Sequence, residues 1–168
     1  DLKDTAMMSV LNINLGILYK KKGLYEKALK NLLEASSHFE KSEPSTNVAL
    51  CYNAIGNLYL DIGEPSLALT FHYRALEVRK KLREKSSMSS SYNNIGNVYL
   101  TLNQLDSALI NFQKALSLKR EINDLSSMGI TLNNIGEVLM MKGKLKEAED
   151  LLKQGLAIRI QAKEKSGQ

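Results

Sequence analysis

Asparagine is the residue type whose spacing most invites chemistry in this 168-residue chain. Asn53, Asn93 and Asn133 recur 40 residues apart, and Asn14, Asn94 and Asn134 share a second column on the same period. Asn57 and Asn97 follow four residues after Asn53 and Asn93, with Glu137 in the same place in the last unit. Positions four apart lie on one face of a helix, so each pair is vertical. A carboxamide offers an acceptor oxygen and a two-donor nitrogen, enough to bond both N–H and C=O of an extended peptide without reading its sequence. Each such bond is worth about 0.5–1.5 kcal/mol net, so micromolar capture needs several of them plus apolar contacts. The alternative is that these side chains bond one another, or the backbone of the neighbouring unit, and fix the repeat spacing. Either role supplies a reason for a poor helix former in helical registers.

Other chemistry is sparse. His38 and His72 stand where the period otherwise places apolar residues, so both read as packing histidines. Two His and one Cys, far apart, make no metal-ligand spacing, and Cys51 shares its column with Leu11, Ser91 and Thr131. No nucleophile elbow, zinc-protease helix motif, P-loop or dinucleotide fingerprint is present. The expectation is therefore no catalytic residue, no metal and no cofactor. Arg79, Lys119 and Arg159 form a basic column, with Lys80 and Arg120 beside it. Cations near a helix C-terminus favour the dipole; the functional reading is a stripe that meets an acidic partner.

The elements that must position these residues follow from the same period. Gly16, Gly56, Gly96 and Gly136 sit in the phrases NINLGILY, NAIGNLYL, NNIGNVYL and NNIGEVLM. Each unit holds two amphipathic helical patterns, A and B. Helix A is expected near 5–22, 45–62, 86–102 and 126–142, and helix B near 24–41, 65–83, 105–121 and 145–162. Thr46, Ser86, Ser126 and Ser166 suit N-caps, and Pro65 suits a first turn. Gly23, Gly63, Asn103 and Gly143 tolerate the positive φ of a tight A–B turn. A mid-helix glycine costs about 1 kcal/mol against alanine, so four of them imply close approach of helix B. Ala28, Ala68, Ala108 and Ala148 form the small column on B, beside the bulky column Leu32, His72, Phe112 and Leu152. Small against large at fixed offsets is the content of stacked antiparallel helices.

Gly56, then Tyr59, Gly63, Ala68 and Ala75, resembles the tetratricopeptide repeat. The 40-residue period is similar to the long variant in Leu-Gly-Asn-type scaffolds, kinesin light chains and bacterial sensor proteins. Asn94-Ile95-Gly96-Asn97 and Arg120-Glu121-Ile122-Asn123-Asp124 look like that subfamily's phrases. The resemblance implies an all-α fold, a right-handed superhelical solenoid of four antiparallel helix pairs. The repeats fall roughly at 1–40, 41–80, 81–120 and 121–160 of a single domain, with 161–168 starting a truncated further helix. It also implies a protein–protein interaction scaffold that binds an extended or helical peptide segment in a concave groove lined by helix A. On that reading Asn53, Asn57, Asn93, Asn94, Asn97, Asn133 and Asn134 face the ligand. The alternative is a sensory or regulatory domain of a larger signalling protein with an attached output domain. The chaperone-tail clamp of some relatives needs cations where this chain has Leu50, Ser90 and Ile130.

Composition bounds the rest. A single Cys excludes an intrachain disulfide framework, and no run approaches the roughly 18 apolar residues of a membrane span. A net charge of +5 is modest, and 6% aromatic residues give few stacking platforms for nucleic acid. The partners expected are thus protein or peptide, without nucleic acid or membrane insertion, in a cytoplasmic setting. A homodimer through an uncapped terminal repeat is a further expectation.

Overall fold

The structure, a computed structural model, describes the backbone of residues 2–39 and 43–166 and the side chains of residues 6–39 and 43–163. Eight helices and no strand occur among the described residues: α1 (Leu2–Lys21), α2 (Tyr25–Phe39), α3 (Thr46–Asp61), α4 (Pro65–Lys81), α5 (Lys85–Thr101), α6 (Leu105–Glu121), α7 (Leu125–Met141) and α8 (Leu145–Ser166). The odd-numbered helices are the expected A helices and the even-numbered ones the B helices. The fold is the expected all-α array of four helix pairs.

The turns within each pair obey the glycine and asparagine column. Gly23, Gly63, Asn103 and Gly143 all have positive φ, between 55° and 83°. Two left-handed residues lie between pairs, Arg83 at 56° and Asn123 at 55°. The A-helix caps fall one or two residues before the expected positions, at Ser45, Glu84 and Asp124. Ser45 Oγ accepts from the Val48 N–H at 3.4 Å, and Asp124 Oδ1 from the Ser127 N–H at 3.1 Å. Thr46, Ser86 and Ser126 therefore lie in first turns rather than at caps. Glu84 stands at the start of α5 with no side-chain capping bond to the helix, and Pro65 opens α4 as expected. One expectation is overturned at the end of the array. Residues 161–166 continue α8 instead of starting a new helix, because Gln161, Ala162, Lys163, Glu164 and Lys165 are good helix formers with no breaker among them. Ser166 is thus the last described residue of α8. Residues 167 and 168 lie outside the described residues.

Packing divides the chain into two compact units, residues 1–83 and 84–168. In the first, α1 pairs with α2 and α3 with α4, and α3 packs on both α1 and α2. Its core is built from Leu32, Ala35, Cys51, Ile55 and Leu58, with Ala75 from α4. In the second, α5 pairs with α6 and α7 with α8, while α7 packs on α6. Phe112, Leu116, Leu132, Ile135 and Val138 fill that core. The glycine column does what its spacing implies in both units. A Cβ on Gly16 would sit 2.5 Å from Leu32 Cγ, on Gly56 2.8 Å from His72 Cε1, and on Gly96 2.6 Å from Phe112 Cε1. On Gly136 it would sit 2.9 Å from Leu152. Each bulky B residue thus rests on the glycine 16 positions earlier, in the space a side chain would take.

Candidate functional site

Each A helix spends one face on its partner B helix and another on its neighbours, which leaves an open stripe. On α3 this stripe is Leu50, Asn57 and Asp61; on α5 it is Ser90, Asn97 and Thr101; on α7 it is Ile130, Glu137 and Met141. These positions are seven and eleven residues apart, so they share a helix face. The residues expected to meet a ligand divide around it. Asn57 and Asn97 lie on the stripe, half-buried, and neither side chain bonds another described residue. Asn53, Asn93, Asn94, Asn133 and Asn134 are also half-buried and flank it.

The flanking positions of the second unit are tied into the packing. Asn134 Nδ2 donates to Asn93 Oδ1 at 3.2 Å, linking α7 to α5. Thr131 Oγ1 lies 3.4 Å from the same oxygen and accepts from Lys119 Nζ at 2.6 Å. Lys119 Nζ also donates to the Ser127 carbonyl at 3.3 Å. The result is a polar chain crossing α5, α6 and α7 beneath the stripe. Burial lowers the Lys119 pKa, partly offset by the Asp124 carboxylate. Asn133 Oδ1 lies against Gly155 of α8, within 2.8 Å of where a Cβ would stand.

The basic column divides too. Arg79 is 6% exposed and Lys119 5%, while Arg159 is exposed. A stripe for an acidic partner is therefore reduced to one member, because the first two are covered by packing that the period alone does not reveal. Cys51 is buried, its Sγ donating to the Leu32 carbonyl at 3.5 Å, and burial pushes its pKa up to about 12. His72 is fully buried with neither ring nitrogen hydrogen-bonded, and burial, helped by Arg79, lowers its pKa to about 4. No group of His, Cys, Asp or Glu among the described residues could hold a metal ion. No described helix is long and apolar enough to cross a membrane.

Sequence reasoning missed the apolar members of the stripe. Leu50, Ile130 and Met141 are all exposed, and their signal was present as large apolar residues on the helix face that carries Asn57 and Asn97. It also missed the cations stacked on aromatic rings. Arg74 lies 5.8 Å from the Tyr52 centroid and 5.2 Å from that of Phe71, and Lys114 lies 5.6 Å from Tyr92.

Antiparallel helix pairs on a fixed period, with a mixed polar and apolar stripe along the A helices, define a helical-repeat architecture. The sequence pattern of the tetratricopeptide repeat matches residues 6–81 and again 87–161, and the chain belongs to that family. No curated protein matches it in sequence. Solved structures agree on the fold. BtubC (BKLC) from P. vanneervenii superposes with a TM-score of 0.88 at 22% identity, over 95% of this chain and 66% of its own. Aspartyl phosphate phosphatase F from Bacillus subtilis gives 0.86 at 17% identity, over 94% of this chain and 41% of its own. A Rap protein complexed with Competence and Sporulation Factor gives 0.81 at 18% identity, over 91% and 43%. The chain thus spans less than two thirds of each of these structures.

Proposed function

We propose that this chain is a protein-interaction scaffold that holds a peptide segment along the A-helix stripe of each unit. The observation that carries the reading is the position of Asn57 and Asn97. Each is a half-buried carboxamide at the same place on a helix A, with its hydrogen-bonding capacity unused by any described side chain or backbone group. Such an amide can take both polar groups of a passing backbone. In the second unit, Ile130 and Met141 offer apolar contact beside Asn97, so the favoured ligand alternates backbone contact with apolar side chains. Arg159 remains a candidate contact for an acidic residue. A tetratricopeptide relative complexed with a named factor supports ligand capture by this fold. That the chain covers only 41% and 43% of two of the similar structures supports the second reading, a regulatory piece of a longer signalling protein.

Panning a random-peptide library against the chain tests the first reading. Selected peptides should bind the Asn57→Ala/Asn97→Ala double variant at least about tenfold more weakly, a loss of about 1.4 kcal/mol, with its melting temperature little changed. Equal affinity for both proteins would remove the stripe from the site.

A further inference from the structure

We infer that the segment held along the second unit carries a basic side chain, set between two apolar ones, and that Glu137 receives it, an inference that rests on the stripe being the peptide seat.

The openness of this site belongs to the register rather than to α7 alone. Leu50 on α3 is 44% exposed, and Ser90 and Thr101 on α5 are exposed too. The matching residues of α7 are Ile130 and Met141, at 51% and 50%. Glu137 stands between these two, exposed, in the place that Asn57 and Asn97 take on α3 and α5. Within the second unit α5 and α7 are tied by the Asn134–Asn93 bond. The stripe of α5 is polar, with Ser90, Asn97 and Thr101. That of α7 is apolar except for one carboxylate.

The carboxylate is uncompensated. Glu137 is the one charged residue of α7, so no cation stands a turn away on its own helix. On α5 the one charged residue is Lys85, which pairs with Glu121 at 2.5 Å. Lys142, just past α7, pairs with Asp106. No ion pair or hydrogen bond joins the Glu137 side chain to another described residue. Asp61, the acid of the α3 stripe, differs, because Lys20 pairs with it at 2.5 Å. The chain has 23 lysines and arginines, yet none of them meets Glu137. Water alone supports this charge, and a ligand that covers Ile130 and Met141 removes part of that water. A cation on the ligand offsets the loss, whereas a neutral or acidic group leaves the carboxylate partly desolvated and unpaired. Charge therefore decides between ligands that make the same apolar contacts.

The helix also sets a spacing. Glu137 lies seven residues after Ile130 and four before Met141, about 10 Å and about 6 Å along the axis. An extended segment rises about 3.3 Å per residue, so its apolar side chains fall about three positions to one side of the cation and about two to the other. The Asn97 carboxamide takes backbone groups of the same segment.

Panning a random-peptide library on the full chain and on its Glu137→Lys variant tests the inference. A net charge of +5 favours acidic peptides over the surface as a whole, so basic binders do not arise from the overall charge. The wild-type chain should select peptides with Lys or Arg between apolar residues, and Glu137→Lys should bind them at least about tenfold more weakly. Glu137→Asn restores the residue that α3 and α5 carry at this place, so its melting temperature should hold. Exchanging the peptide's cation for Gln should weaken binding to the wild-type chain and leave binding to Glu137→Asn unchanged, the coupling that a direct pair requires. Binding of the basic peptides should also weaken as salt rises. Selection of acidic peptides would overturn the inference. So would binders that weaken with Asn97→Ala yet bind Glu137→Asn as tightly as the wild-type chain, a result that leaves the stripe in place. Binders indifferent to both substitutions, or a library that yields none, would remove the stripe and the inference together. Should Glu137→Lys misfold by circular dichroism, Glu137→Asn and the Gln-exchanged peptide carry the same test.

Discussion

Burial of His72 against Gly56 holds its imidazole neutral down to about pH 4, whereas the same ring in the unfolded chain protonates near 6.5. The unfolded state therefore binds more protons in that window, and the folded state loses stability as pH falls through it. That difference corresponds to roughly 3 kcal/mol, lost between about pH 6.5 and 4 and saturated below. Leu32 and Leu152 hold the same place in the other units, so His72→Leu should fit. It removes two unsatisfied ring nitrogens and should stabilise by about 1–3 kcal/mol at neutral pH. Urea unfolding across this pH range checks both, because the variant's profile should flatten. The burial of His72 was legible from its column, but its missing partners were not, since no pattern records what a ring nitrogen fails to reach. The asparagines teach the same lesson. Asn93 and Asn97 look alike in the sequence, yet one bonds Asn134 and the other faces the open stripe. Asn93→Ala should cost about 1 kcal/mol by stranding its partner, and Asn97→Ala should leave the denaturation midpoint nearly unchanged. Equal losses would make both columns structural.

The helix pair is the element whose design was most legible, because one glycine and one bulky residue per unit suffice to fix the crossing. The sequence spacing could not reveal how hard each crossing is packed. At Gly96 the added methyl would meet the fully buried ring of Phe112, which has nowhere to move. At Gly136 it would meet Leu152, a flexible side chain that is only partly buried. Alanine gains about 1 kcal/mol of helix propensity at either site, while overpacking costs about 1–3 kcal/mol where the neighbour cannot yield. Gly96→Ala should therefore destabilise, and Gly136→Ala should be neutral or slightly stabilising. Thermal melting of the two variants decides the matter; indistinguishable shifts would show that both crossings relax alike. The burial of Arg79 and Lys119 was hidden at this scale for a related reason. Their place near a B-helix end is written in the period, but the period does not show that Lys119 reaches Thr131 and the Ser127 carbonyl of α7.

For the whole molecule, the 40-residue period gave the number and order of the helices, but it does not mark the division after Arg83. The five serines of residues 86–91 lie inside α5 rather than in a linker, and Arg83 takes the same left-handed turn as Asn123. The division comes from packing, with each unit holding its own buried core. Repeat arrays gain stability from neighbouring contacts rather than from one shared centre, so local damage should open the unit that suffers it. Phe112 is fully buried in the second core and rests on Gly96. Truncating it to alanine should cost about 3–5 kcal/mol there. Amides of α5–α8 should then exchange with solvent far faster, while those of α1–α3 keep their protection, because sub-global opening follows cooperative units. Leu58, fully buried in the first core, supplies the converse variant: Leu58→Ala should expose α1–α4 and spare α6–α8. If either substitution instead raised exchange evenly from α1 to α8, the eight helices would act as one cooperative block, and stability could not be assigned unit by unit.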